Sequence, residues 1–243
     1  RRDIGDAPGM AQTLNNLGTI HQDNENHARA SELWTEALEY ARRVGDRMRE
    51  AVILTNLGQS SYRQNRAEEG IAILVKAEQI SATLGDRILE AEILRGLAEA
   101  HLLLGDHGAA KDYVGRSVKL FEETRSKPFL GVALRTLAEV HAASGEDEAS
   151  RHAEAAYGQS QRLFDELGNE VELARTCESY AAFLEKTYGG RDPARDKLAR
   201  ELRDRALEIH GKQLASETYS LPTFDGPAFD GEKTDPGIIP PER

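Results

Sequence analysis

Three histidines, His21, His101 and His141, fall in one register of a 40-residue spacing. Histidines in register invite a metal reading. A zinc ion needs its nitrogens within about 2.1 Å of one point, whereas stacked helices one repeat apart lie about 8–10 Å from axis to axis. The spacing therefore predicts packing residues and no metal. Other reactive groups fail on the same grounds of spacing. His152 and Glu154 do not make His-Glu-x-x-His. Gly158-Gln159-Ser160 lacks the glycine that completes a nucleophile elbow. Gly211-Lys212 is followed by Gln and lacks the upstream glycine of a phosphate-binding loop. Cys177 sits on an apolar stripe, where a thiol is expected to be inert. The expectation is a chain that is not an enzyme, with no catalytic residue, metal or cofactor.

What remains is chemistry of recognition. Arg95 and Glu99, then Arg135 and Glu139, repeat the same charged pair 40 residues apart. Each is an i,i+4 pair on a helix, worth about 0.2–0.5 kcal/mol if it only decorates a surface. If the pairs instead line a recess, they select a ligand of mixed charge. Asn16 and Asn56 are likewise one register apart. A primary amide both donates and accepts, so it can satisfy a peptide unit of an extended ligand. It can equally be a solvated or helix-capping amide.

These side chains are carried by a repeat. Leu14, Leu54, Leu94 and Leu134 are spaced by 40 residues, as are Leu17, Leu57, Leu97 and Leu137. A self-similar period of this length marks a stack of supersecondary units. Each unit holds two helical patterns. In Asp46 to Gly85 the first carries Leu54, Leu57, Gly58 and Ser61, and the second Gly70, Ile73, Leu74, Ala77 and Ile80, each one face of a helix. Asn65 is placed to end the first helix in the left-handed conformation, Gly85 to end the second, and Asp86 to cap the next. Repeats are expected at about 6–45, 46–85, 86–125, 126–168 and 169–215, a repeat domain over 1–215. Ser126 before Lys127-Pro128 reads as a serine-capped helix start. The fourth repeat gains three residues, since Phe164 follows Phe121 by 43 and Ser160 takes the place of Ser117. The last helix, from Pro193 to about Leu214, has one stripe of Leu198, Leu202, Ala206 and Ile209 and is otherwise charged, as a terminal cap should be.

Residues 216–243 change in composition. Five of the eight prolines lie there, with acidic groups and two Phe-Asp-Gly segments, Phe224 to Gly226 and Phe229 to Gly231. The segment reads as a linker, or as a docking segment anchored by Phe224 and Phe229. Arg1 to Asp6 reads as the end of a preceding repeat, so a piece of a longer protein is expected.

Composition narrows the partners. A formal charge of −11 disfavours phosphate backbones and anionic membranes, so neither nucleic acid nor membrane is an expected partner. No apolar run approaches the roughly 20 residues of a membrane span. A single cysteine fits a reducing, cytoplasmic setting.

Leu14-Asn15-Asn16-Leu17-Gly18-x-x-His21, followed by Ala30, Trp34 and Ala37, resembles the tetratricopeptide repeat signature of Leu, Leu-Gly, Tyr, Ala, aromatic and Ala. The 40-residue period resembles the longer subclass found in kinesin light chains, Pins-type adaptors and bacterial regulators such as the maltose activator. His or Ser stands in the Tyr slot at His21, Ser61, His101 and His141, and the last repeat is degenerate at Cys177 and Tyr180. The resemblance implies an all-α, right-handed superhelical solenoid of five helix-turn-helix repeats, whose concave face binds peptides or partner proteins. It further implies that the first helix of each repeat lines the groove, with Gln12, Asn15, Asn16 and Thr19, then Thr55, Asn56 and Gln59, then Arg95, Glu99, Arg135 and Glu139 facing the ligand. Asn16 and Asn56 match the Asn-Leu-Gly asparagine that grips a peptide backbone in related arrays. The lysine of the family's carboxylate clamp is absent. The functional expectation is a binding scaffold within a signalling protein. Two alternatives stand beside it: a self-assembly module whose tail docks in a groove, and the sensor arm of a kinase or regulatory ATPase.

Overall fold

The structure is a computed structural model that describes residues 7–219. Among these the chain is all helix: α1 (Ala7–Asp23), α2 (His27–Arg43), α3 (Arg47–Arg63), α4 (Ala67–Leu84), α5 (Arg87–Leu103), α6 (His107–Glu123), α7 (Lys127–Ser144), α8 (Asp147–Leu167), α9 (Glu170–Tyr188) and α10 (Pro193–Tyr219). Helix stops recur every 20 residues because the backbone turns left-handed at Glu25, Gly45, Asn65, Gly85, Gly105, Arg125 and Gly145. Asn65 ends α3 as its residue type suggests. Glu25 and Arg125 carry the same conformation without glycine or asparagine, so their turns are set by the register of the helices around them rather than by local preference.

Helix starts follow the sequence in most repeats. Asp46 accepts from the Arg49 N–H at 2.9 Å, Asp106 from Ala109 at 3.1 Å and Asn169 from Glu172 at 3.2 Å. Ser126 departs from its expected role. It occupies the cap position, but its side chain caps no backbone group and its hydroxyl pairs with that of Thr124 at 3.0 Å. At the other end, α10 runs on to Tyr219, past the expected stop near Leu214. Phe224 and Phe229 lie outside the described residues.

Consecutive helices pair as hairpins, α1 with α2 through α9 with α10, and each even helix then packs on the next odd one. Odd helices also touch the odd helices of adjacent repeats, whereas the even ones have no comparable contact with one another. The odd layer is therefore the tighter one, and the array curves with α1, α3, α5, α7 and α9 on its inner side and the even helices fanned outside.

Small residues on the odd helices admit large ones from the even. A Cβ at Gly18 would lie 2.5 Å from Trp34 Nε1, and one at Gly131 would lie 2.5 Å from Phe164 Cζ. Trp34 is anchored by its N–H to the Asn15 carbonyl at 3.1 Å. Ser117 Oγ donates to the Ala91 carbonyl and Ser160 Oγ to the Gly131 carbonyl, both at 2.8 Å. The second bond repeats the first despite the longer α8, which keeps its buried face in register. On α10, Leu202, Ala206 and Ile209 are buried while Leu207 is 67% exposed. Leu17 lies on the expected stripe but is 41% exposed, because among the described residues no helix packs before α1.

Candidate functional site

The inner layer carries two kinds of polar floor. At its N-terminal end the amides meet. Asn56 Nδ2 on α3 donates to Asn15 Oδ1 on α1 at 3.0 Å. Both are half-buried, whereas Gln12, Asn16 and Thr19 are exposed, and the Thr19 hydroxyl turns back to the Asn15 carbonyl at 3.2 Å. The structure thus brings Asn56 together with Asn15 rather than Asn16. Thr55 is not part of the floor. It is buried, and its hydroxyl donates to the Ala51 carbonyl of its own helix at 2.8 Å. Gln59 is half-buried beside Gly96.

From α3 to α9 the floor is charged. Arg95 on α5 is only 6% exposed. Its guanidinium donates to both oxygens of Glu92, at 3.3 and 2.8 Å, and to Glu99. Glu99 accepts further from the Tyr62 hydroxyl on α3 and from Thr136 Oγ1 on α7, the latter at 2.9 Å. One repeat on, Arg135 lies 2.7 Å from Glu172 Oε2 on α9 and donates to Thr176 Oγ1 at 3.1 Å. Arg175 holds the other Glu172 oxygen at 2.7 Å. Glu139 accepts from the Ser179 hydroxyl on α9, as Glu99 accepts from Thr136 one repeat earlier.

Burial and neighbours set the protonation of this floor. Burial favours a neutral Glu99, but the Arg95 charge and the Tyr62 hydroxyl outweigh it and hold the carboxyl below its ordinary value. Glu172 behaves alike, with burial overcome by Arg135 and Arg175. Burial and the negative charge of Glu99 push the Tyr62 phenol well up. Glu139 goes the opposite way to its fellow carboxylates. Burial first, and the charge of Glu99 second, outweigh Arg135 and raise it to about 7.

The i,i+4 spacing identified Arg95, Glu99, Arg135 and Glu139. It missed Tyr62, Glu92, Thr136, Glu172 and Ser179, which complete the network. Glu92 was accessible three residues before Arg95, and Thr136 occupies the register of Asn56. Tyr62 stands one residue after the expected aromatic slot, filled here by Ser61.

The histidines occupy the ends of the odd helices. His101 stacks on Tyr113 at 5.3 Å, and His141 leans on His152 at 5.2 Å. Among the described residues no three His, Cys, Asp or Glu side chains are placed to hold a metal ion. Cys177 is fully buried, and burial pushes its thiol up. No described helix is long and apolar enough to cross a membrane.

Comparison with known proteins agrees with the paired helices, the tight inner layer and the 40-residue register. Residues 9–69 and 49–123 match the tetratricopeptide repeat family. This chain carries a tetratricopeptide repeat array. No curated protein matches it. Among solved structures it is similar to BtubC (BKLC) from P. vanneervenii, at 17% identity over 99% of this chain and 98% of that one, with a TM-score of 0.61. It is also similar to the kinesin light chain TPR-like repeats of Podosopora anserina, at 16% identity over 83% and 95%, with a TM-score of 0.57. A third likeness is to PH0952 of Pyrococcus horikoshii, a signal transduction ATPase with numerous domains and a tetratricopeptide repeat sensor. There the identity is 18% over 89% of this chain but 33% of that one, with a TM-score of 0.64. These likenesses extend the repeat fold beyond residue 123. Tetratricopeptide repeat proteins are in general scaffolds for protein interaction.

Proposed function

We propose that this array captures a peptide segment of a partner protein on its inner face, with the charged floor of α5, α7 and α9 as the principal contact. The observation that carries this reading is the floor itself. A cleft of about 370 Å³ between these helices is lined by Arg63, Arg95, Arg135 and Arg175 and by Glu92, Glu99, Glu139 and Glu172. Four cations and four carboxylates on one concave surface are costly to desolvate, and much of that cost is borne in holding each other in place. A preorganised polar floor of this kind loses little freedom when an extended backbone with mixed charge lies along it. The amide pair Asn15 and Asn56 continues the track towards α1.

Selection of random twelve-residue peptides on the full chain tests this. Arg63 and Arg175 are exposed at the cleft rim, so their joint change to Glu reverses the charge a ligand meets there; it gives up the Arg175–Glu172 pair but keeps the Arg95–Glu92, Arg95–Glu99 and Arg135–Glu172 pairs beneath. Selected peptides are expected to bind the Arg63→Glu/Arg175→Glu variant about ten-fold or more weakly. They are expected to bind a Lys119→Glu variant, altered on the outer helix α6, as well as wild type. Equal loss in both variants, or in neither, contradicts the proposal.

A further inference from the structure

The four carboxylates of the charged floor are not equivalent. Glu92 and Glu99 share Arg95, and Glu172 holds Arg135 and Arg175. Glu139 forms no ion pair among the described residues, and its partner is the neutral Ser179 hydroxyl. Its position is also singular, since it stands where three clefts meet. One is the 370 Å³ cleft towards Arg135 and Thr136. Another, of about 300 Å³, opens towards Tyr62 and is walled by Leu102 and Leu103. The third, of about 620 Å³, opens towards Ser179 and Phe183.

Building on the peptide-capture reading, we propose that Glu139 receives one basic side chain, lysine or arginine, of the bound peptide. Glu99 and Glu139 line two of these clefts together, so a cation entering between them meets two carboxylates whose mutual repulsion it relieves. The walls suit the stem of such a side chain. Leu102 and Leu103 offer apolar surface along which a lysine chain lies while its head reaches the carboxylate, and Leu103 is 57% exposed and open to cover.

The groups that face Glu139 are these. From α5 come Glu99 and Arg95, and from its own helix Arg135. Tyr157 approaches from α8, and Tyr62 and Arg63 border the cleft from α3. Lys186 from α9, Arg191 and Asp147 stand around the third cleft. Arg95 and Arg135 are committed to Glu92, Glu99 and Glu172, which leaves Glu139 the carboxylate open to an outside cation. Its elevation to about 7 supports the same conclusion, because a carboxyl matched by a resident cation is held low, as Glu99 and Glu172 are.

The probe is a set of twelve-residue peptide pools, random in uncharged residues, with one fixed position of Lys, Arg, Ala or Glu. Retention is measured on the immobilised full chain, wild type and Glu139→Gln, at pH 6 and pH 8. At pH 8 wild type is expected to hold the lysine or arginine pool about ten-fold over alanine, the effect of one charge-assisted hydrogen bond. Glu139→Gln is expected to lose that preference and still hold the alanine pool. Lowering the pH to 6 is expected to reduce the preference in wild type, as Glu139 takes up a proton, and to leave Glu139→Gln unchanged. The wild-type pH series reads the same group should the variant fail to fold. An equal preference for basic pools in both proteins, or alanine pools held as well as basic ones by wild type, overturns the role of Glu139 while peptide capture stands. Retention of no pool above that of Arg63→Glu/Arg175→Glu overturns both.

Discussion

Replacing Glu139 by Gln removes one titration from the protein and should leave its signature in stability against pH. The folded carboxyl sits at about 7 against an ordinary 4.5. Between these values the folded state binds more protons than the unfolded chain, so the wild type loses stability as pH rises through this window. The integrated loss is about 3 kcal/mol at 1.36 kcal/mol per pH unit. Glu99 and Glu172 act in the opposite sense, since their depressed carboxyls contribute stability above the ordinary range that is lost on acidification. Their contributions are common to both proteins and largely cancel in the difference. Urea unfolding followed by circular dichroism at pH 5, 6, 7 and 8 therefore isolates Glu139. Glu139→Gln is expected to gain on wild type with pH, by about 2.5 kcal/mol between pH 5 and 8, with the steepest change below 7. A difference that stays flat across the series refutes the burial of an uncompensated carboxylate at this position.

Four further outcomes follow from the packing and the buried network. Arg95→Ala strips Glu92 and Glu99 of their shared cation and is expected to destabilise by about 3–5 kcal/mol, read as a lowered urea midpoint. Gly18→Ala drives a methyl into the Trp34 indole and is expected to cost about 1–3 kcal/mol, with a shift in tryptophan fluorescence. Gly115→Ala, in the middle of α6 with open space around it, is expected to stabilise by about 0.5–1 kcal/mol. Tyr62→Phe removes a donor to an ionised Glu99 and is expected to cost about 1.5–3 kcal/mol, with the Glu99 carboxyl rising in an NMR titration.

The fold was legible because the repeat is a covalent regularity. Leucines 40 residues apart placed the first four hairpins, and the 43-residue step from Phe121 to Phe164 located the longer α8 and, through it, the degenerate fifth repeat. What stayed hidden was local. Glu25 and Arg125 give no residue-type sign of a left-handed turn, since neighbouring helices impose it. Ser126 has the type and position of a cap, but Thr124 competes for its hydroxyl. The site was legible in part for the same reason. Spacing of four showed Arg95 with Glu99, both on one helix. The partners that make the network come from other repeats: Tyr62 and Thr136 each lie 37 residues from Glu99 in sequence. Helical periodicity fixes a face within one helix, but small rotations decide which neighbour that face meets. Thr55, beside Asn56 in the chain, is buried, and Asn56 meets Asn15 instead of Asn16.

The most direct measurement of peptide capture is a footprint. A peptide selected on the full chain would be added at saturation, and backbone hydrogen exchange followed across the ten helices. Protection is expected on the inner helices, strongest in α5, α7 and α9 around Arg95, Arg135 and Glu139. Protection confined to the even helices, or none at saturating peptide, would contradict a binding surface on the inner face.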